Sequence, residues 1–349
     1  MQALLTTLLY SIIFSALIVV LAHKKQWFLN QHDLDGVQKF HHEPTPHVGG
    51  LAVFLSFVLG SFLLPIEAQR VLQPILIVSA PVFIIGLIED FSAKVSPLWR
   101  LLFIFLSLSV SFFYLNVGVY SLSFDWIDAL LFYPIIGLLF TLLVVGGAVN
   151  ALNVIDGYNG LMSGYAILVS IAMAVVAHQL GDALIVQLNL LLIMSILGFF
   201  LLNFPFGKLF MGDGGAYFIG FMLSMIGLVF VSRHDELSNW FVLGLLMYPM
   251  YELLFSIYRK RVINGTPASQ PDGFHLHMLV HKLIVTNNPQ GSKIINNSKT
   301  SPFFWLLPLV SIIPTVLWYN DKLALIGWAC MFMVFYTIIY FYISSRVRT

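Results

Sequence analysis

Apolar residues run along this chain in long blocks separated by short polar breaks. A helix crossing a bilayer needs about 17–25 mostly apolar residues. Eleven blocks approach or reach that length: 3–22, 49–66, 72–89, 98–116, 127–149, 160–179, 182–203, 214–232, 238–257, 302–320 and 322–344. The block 49–66 is barely long enough, and 160–179 and 182–203 leave room between them only for a tight turn. The pattern predicts an all-α polytopic membrane protein of about eleven transmembrane helices. It forms one integral-membrane domain over residues 1–349, with a single long polar loop at about 258–301. No internal repeat or low-complexity tract interrupts it.

Composition agrees. The chain is 59% hydrophobic and 9% charged, against roughly 25% charged in soluble domains. A net charge of +1 gives no electrostatic basis for a nucleic-acid partner. The lone Cys330 excludes an intrachain disulfide. The first apolar block has no Lys or Arg before it and is followed by Lys24 and Lys25, which suggests an uncleaved span with the N-terminus outside. On that layout 14 Lys and Arg fall on the side of Lys24, and 3 (Arg70, Arg233, Lys322) on the other. The richer side, with the C-terminus, is expected to be cytoplasmic. Glu89, Asp90, Asp156, Asp213 and Asp272 all fall on it.

Five polar stretches on this face carry candidate chemistry. In Asn150–Leu161 (N-A-L-N-V-I-D-G-Y-N-G-L), Asn150, Asn153, Asp156 and Asn159 recur every third residue and form one stripe on a helix or helical turn. Turn chemistry accounts for Gly157 and Gly160 but not for two asparagines upstream in an apolar run. Gly86–Asp90 (G-L-I-E-D) ends the third block in adjacent acids, Glu89 and Asp90, which repel unless a cation or proton joins them. The alternative is an acidic helix end, against the preference of helix C-termini for cations. Phe210–Gly220 sets Asp213 among Gly212, Gly214 and Gly215. There backbone N–H groups can approach an anion, or simply make a capped tight turn. Pro271–Lys282 (P-D-G-F-H-L-H-M-L-V-H-K) offers His275, His277, His281 and Lys282. These are zinc ligands by number, phosphate binders by company, or an exposed His-rich loop. Lys39–Gly50 brings Lys39, His41, His42 and His47 to the headgroup level, as a lipid-phosphate site or as a membrane anchor. Paired carboxylates suit Mg²⁺, which takes one or two of them plus substrate phosphate. Glu252, inside the ninth block, is either functional or a structural partner of a nearby Arg or Lys.

In their order along the chain and on one face, these stretches resemble the motifs of the polyprenyl-phosphate N-acetylhexosamine-1-phosphate transferases (glycosyltransferase family 4), among them the undecaprenyl-phosphate GlcNAc-1-phosphate transferases. The peptidoglycan phospho-MurNAc-pentapeptide transferase is a more distant relative. The likeness runs from about Lys39 to Lys282. It implies transfer of HexNAc-1-phosphate from a UDP-N-acetylhexosamine, first of all UDP-GlcNAc, to undecaprenyl phosphate at the cytoplasmic face of the bacterial inner membrane. UMP is released, and the product begins a cell-surface glycan. It further implies Mg²⁺, with Mn²⁺ as substitute, held by Asp213 and Asp156, and a lipid bilayer and a homodimer as partners. The implied roles are Asp90, Asp156 and Glu89 in catalysis, with Asp90 keeping the lipid phosphate deprotonated or assisting the metal. Asn150, Asn153, His275, His277 and Lys282 would bind the donor, and Lys39 and His41 the lipid phosphate.

The sequence departs from the family pattern at four places. Glu89 and Glu252 stand for Asp, Asn159 for a second Asp, and His47 for Arg. These bear on donor choice more than on catalysis, and Asn159 is the leading candidate for what sets the donor. The alternatives are another UDP-sugar, such as a 6-deoxy-HexNAc, or a lipid-linked sugar transporter. A transporter predicts ionisable groups near mid-bilayer and inverted repeats, and only Glu252 meets the first condition.

Overall fold

The computed structural model describes residues 1–25, 45–267 and 272–348. Among them there is no strand, and every apolar block has become helix. The helices are α1 (Gln2–Lys25), α2 (Gly49–Ser61), α3 (Ile66–Ser92), α4 (Pro97–Val110), α5 (Asp125–Leu131), α6 (Pro134–Val154), α7 (Leu161–Gln179) and α8 (Ala183–Asn203). They continue as α9 (Gly212–Arg233), α10 (Phe241–Leu245), α11 (Met247–Tyr258), α12 (Leu276–Asn287), α13 (Lys293–Thr300), α14 (Phe303–Leu306), α15 (Leu309–Leu317) and α16 (Lys322–Arg348). This is an all-α polytopic membrane protein.

Nine helical stretches among the described residues are long and apolar enough to cross a bilayer. Two of the eleven predicted blocks contain no such stretch. The block 49–66 yields a helix of 13 residues. The block 238–257 divides at Leu246 into α10 and α11. Pro249 explains the division: it has no N–H to give the carbonyl four residues back. That carbonyl, on Leu245, instead accepts from the buried Tyr165 hydroxyl at 2.6 Å, as backbone away from water requires. Among the described residues of the long loop two α-helices form, α12 and α13.

The hub is α9, with sixteen buried residues in its 22 and packing against α2, α3 and α6. Lipid gives helices no hydrophobic reason to associate, so close backbone approach at small residues must hold them. A Cβ on Gly86 would lie 2.5 Å from the Gly214 Cα, and one on Gly50 would collide with the Gly215 Cα. At the far end of α9, Arg233 Nε donates to Asp182 at 2.7 Å, and His234 lies 2.9 Å from the same carboxylate. Asp182 also caps α8 through the Leu184 and Ile185 amides. The two ends of the hub are thus fixed by different means, by glycine contacts at one and by an ionic cap at the other.

Candidate functional site

The glycine end of α9 is built by backbone pairing. Gly49 N–H donates to Phe210 O (2.8 Å), Gly50 N–H to Met211 O (2.7 Å), and Phe210 N–H to Pro46 O (2.9 Å). Gly212 has φ +78°, and a Cβ there would strike the His47 carbonyl and sit 2.6 Å from Asp90 Oδ2. The glycines of this turn therefore serve close packing. The anion they admit at the helix start is internal: Asp213 N–H donates to Asp90 Oδ1 at 2.6 Å and Gly214 N–H to Asp90 Oδ2 at 3.1 Å.

Asp213, in the first turn of α9, is held from two other helices. Arg100 of α4 pairs with Oδ2 through Nη1. Asn153, in the last turn of α6, donates to Oδ1 at 2.9 Å. The Arg100 Nε is buried and has no partner among the described residues. Glu89 stays within electrostatic reach of Arg100, and its Oε2 accepts the Val95 amide at 2.7 Å. That closes the turn in which Ala93 takes φ 51° and leads into α4, and so to Arg100. The longer side chain of Glu suits this reach of six residues. Asn150 donates to Gly146 O in its own helix at 3.0 Å and does not join the cluster. Asp156 follows α6 and is partly buried. Burial and then the negative charge of Asp213 push its carboxyl up from 3.8 to about 7.

The histidine loop closes over the Asp156 turn. His277 is fully buried, both ring nitrogens lack partners among the described residues, and a Cβ on Gly157 would lie 3.5 Å from its Nε2. Burial lowers its pKa to about 3, so it is neutral at pH 7. His281 packs on the Tyr158 ring at 4.8 Å and is also lowered by burial. His275 stacks on His277 and donates through Nδ1 to Glu252 Oε1 at 2.9 Å. Glu252 takes further bonds from the Leu276 amide (3.2 Å) and the Tyr336 hydroxyl (2.5 Å). It is therefore a partner of histidine and tyrosine, not of Arg or Lys. Arg259 goes instead to Asp272 at 2.7 Å. Lys282 donates to Gly273 O at 2.9 Å and lies over the Phe274 ring.

The structure thus unites Asp90, Asp156, Asp213 and Asn153, and sets His277 beside them. It places Glu89, Asn150, His275 and Lys282 in supporting contacts. Asn159 is turned into the protein, donating to Ser298 Oγ at 3.1 Å. Lys39 and His41 lie outside the described residues. Arg100, which enters the sequence argument only as one of the orientation charges, proves to be part of the cluster. Its place in the first turn of a span, ten residues after Asp90, is the signal that could have found it.

Among the described residues no three His, Cys, Asp or Glu side chains group as a metal cage. Two hard carboxylates, one with its affinity for a proton raised by burial and then by the other's charge, fit Mg²⁺, which takes one or two carboxylates and fills the rest of its shell with water and substrate phosphate.

Comparison with known proteins places this cluster in context. The sequence pattern of glycosyl transferase family 4 matches residues 72–231, a stretch containing Asp90, Arg100, Asn153, Asp156 and Asp213. An undecaprenyl-phosphate alpha-N-acetylglucosaminyl 1-phosphate transferase of Thermotoga maritima is 30% identical over 261 residues, 75% of each chain. A probable undecaprenyl-phosphate N-acetylglucosaminyl 1-phosphate transferase of Bacillus subtilis is 28% identical over 318 residues, 89% of this chain and 82% of its own. A phospho-N-acetylmuramoyl-pentapeptide-transferase of Streptococcus pneumoniae is 26% identical over 283 residues, 78% of this chain and 83% of its own.

Proposed function

The chain belongs to glycosyl transferase family 4, whose matching members are phosphotransferases, and on that premise we propose that it moves HexNAc-1-phosphate from a UDP-N-acetylhexosamine to undecaprenyl phosphate. UDP-GlcNAc is the leading donor and UMP the leaving product. The positive-inside count supports a site at the cytoplasmic face, and the bacterial relatives support a bacterial inner membrane. There a lipid phosphate and a soluble nucleotide can meet.

An oxygen of the acceptor phosphate bonds the phosphorus that carries the sugar. The bond from that phosphorus to the bridging oxygen breaks, and UMP departs with the electron pair. A phosphate monoester has its second pKa near 6, so the nucleophile is largely ionised at neutral pH and no strong base is needed. Catalysis then consists of positioning and charge neutralisation. Arg100 offers its Nε to a phosphate oxygen while Nη1 stays near Asp213. Asn153 orients Asp213. Asp90, with both oxygens committed to α9, fixes the metal-side acid in place. His277, neutral and unpartnered among the described residues, is available to donate one hydrogen bond to the donor. Mg²⁺ held by Asp213 and Asp156 would offset the charge of the pyrophosphate.

The observation that carries this reading is the Asp213 carboxylate held between Arg100 and Asn153 with Asp156 in electrostatic reach. The test is UMP release by the purified full chain with undecaprenyl phosphate and a panel of UDP-sugars. Asp213→Asn and Asp156→Asn should each abolish Mg²⁺-dependent release. Undiminished release from both overturns the site assignment.

A further inference from the structure

Helix α13 is inside out. Its polar residues Asn296, Asn297, Ser298 and Thr300, with Ser301 after it, are 0–4% exposed, whereas Ile294 and Ile295 are 45% and 53% exposed. Burying amides and hydroxyls costs free energy unless each finds a partner. Several of the partners found are the backbone of one short turn. Asn159 N–H donates to Asn297 Oδ1 at 2.8 Å, and the Ser301 hydroxyl donates to Asn159 O at 2.5 Å. Trp305 Nε1 donates to Gly160 O at 2.9 Å, and Gly160 N–H donates to Asn203 Oδ1 at 2.5 Å. Ser298 in turn donates to Pro205 O at 2.7 Å.

This turn begins three residues after Asp156 and ends where α7 starts, with Gly160 at φ +77°. Both N–H and C=O of Asn159 and of Gly160 are therefore fixed from outside the turn. Asn159 itself is 2% exposed and spends its side-chain N–H on Ser298. A carboxylate at that position would be buried among amides and hydroxyls. The same segment reaches the histidine helix, where Thr300 Oγ1 is hydrogen-bonded to His281 Nδ1 at 3.2 Å.

We propose that Asn296–Ser301 is a positioning element of the transfer centre, in which Asn297 and Ser301 hold the Asn159–Gly160 backbone and thereby fix Asp156 relative to Asp213. Asn159 is on this view a brace and not a ligand. The inference rests on the transfer reading given above. Its physical content is that a functional carboxylate on a turn needs outside support to keep its geometry, and a loss of geometry near 1 Å is costly to rate.

The test uses the full chain in detergent or nanodiscs, with Asn297→Ala, Ser301→Ala and, as the variant that keeps the acceptor oxygen, Asn297→Asp. In both alanine variants the amides of 157–161 should exchange with deuterium faster than in wild type. Their kcat should fall about 10- to 100-fold, the Mg²⁺ half-saturation should rise, and the donor KM should stay within about 2-fold, because what is lost acts at the transition state. Asn297→Asp should retain slow exchange and most of the rate, which keeps the test decisive if Asn297→Ala does not fold. Unaltered exchange, or faster exchange with wild-type kcat and Mg²⁺ half-saturation, overturns the inference. If Asp156→Asn is as active as wild type, the transfer reading falls first. With Asp156→Asn inactive and the alanine variants at wild-type values, this inference alone falls.

Discussion

Asp90 caps the helix that carries Asp213. Its two carboxylate oxygens take the Asp213 and Gly214 amides at 2.6 and 3.1 Å, so an acid from α3 satisfies two of the four orphan donors at the start of α9 and sits at its positive end. Asp90→Asn would turn one oxygen into an NH₂ facing a backbone N–H. We expect a loss of about 1–3 kcal/mol, the cost of a strained or missing charged hydrogen bond, and about a 100-fold drop in kcat as Asp213 shifts. Melting curves and single-turnover rates measured on the same preparation check both. Wild-type values for each would show that the cap is dispensable.

Arg100 offers two functions from one planar group, a pair with Asp213 through Nη1 and an Nε without a partner among the described residues. A lysine keeps the charge but not the fork. Arg100→Lys should therefore lower kcat/KM about 10-fold and Arg100→Ala about 100-fold or more. Steady-state kinetics with saturating lipid acceptor decide this. Equal activity of the lysine variant and wild type would reduce Arg100 to a point charge.

Asp156 predicts a pH effect with a definite sign. Its folded-state value is raised from 3.8 to about 7 by burial and by Asp213. The folded protein then holds a proton that the unfolded chain releases. This stabilising contribution is complete below about pH 4 and is lost as pH rises towards 7. Asp156→Asn, which removes the charge, should raise the melting temperature relative to wild type at pH 8 by a few degrees and leave it nearly unchanged at pH 4. Added Mg²⁺ should lower the pH at which wild-type activity rises. A melting difference independent of pH would contradict the assignment.

The eleven apolar blocks were legible because a bilayer enforces one length and one composition, and all of them fold as helix. The acids were legible because charge at a span end is costly and therefore informative. Three features were not. Leu246 ends a helix because Pro249 frees a carbonyl that Tyr165 then takes, a partner 80 residues away in sequence. The glycines around Asp213 read as an anion cradle, and the anion turned out to be the chain's own Asp90. Asn159 read as a clue to the donor, yet its contacts run to Asn297, Ser298 and Ser301. In each case the residue's type was informative and its partner was not, since the partner is set by packing between distant segments.

Tyr336 of the last helix reaches the histidine loop through a buried acid, donating to Glu252 Oε2 at 2.5 Å, while Oε1 accepts from His275 at 2.9 Å. The ring of His275 in turn stacks at 5.3 Å on His277, nearly parallel at 8°. Tyr336→Phe keeps the ring packing on Phe255 and Tyr251 and removes only the hydroxyl. The buried carboxylate then loses one of three donors, which should cost about 1–3 kcal/mol of stability. Because the effect reaches the centre only through the two histidines, it should raise the donor KM several-fold and leave kcat and the Mg²⁺ half-saturation near wild type. Glu252→Gln should act in the same direction and more strongly, since it also puts an amide N–H₂ in place of an acceptor. Initial-rate measurements across donor concentration separate KM from kcat. A fall in kcat at constant KM in Tyr336→Phe would mean that the histidine loop contributes to the transfer step itself and not to holding the donor.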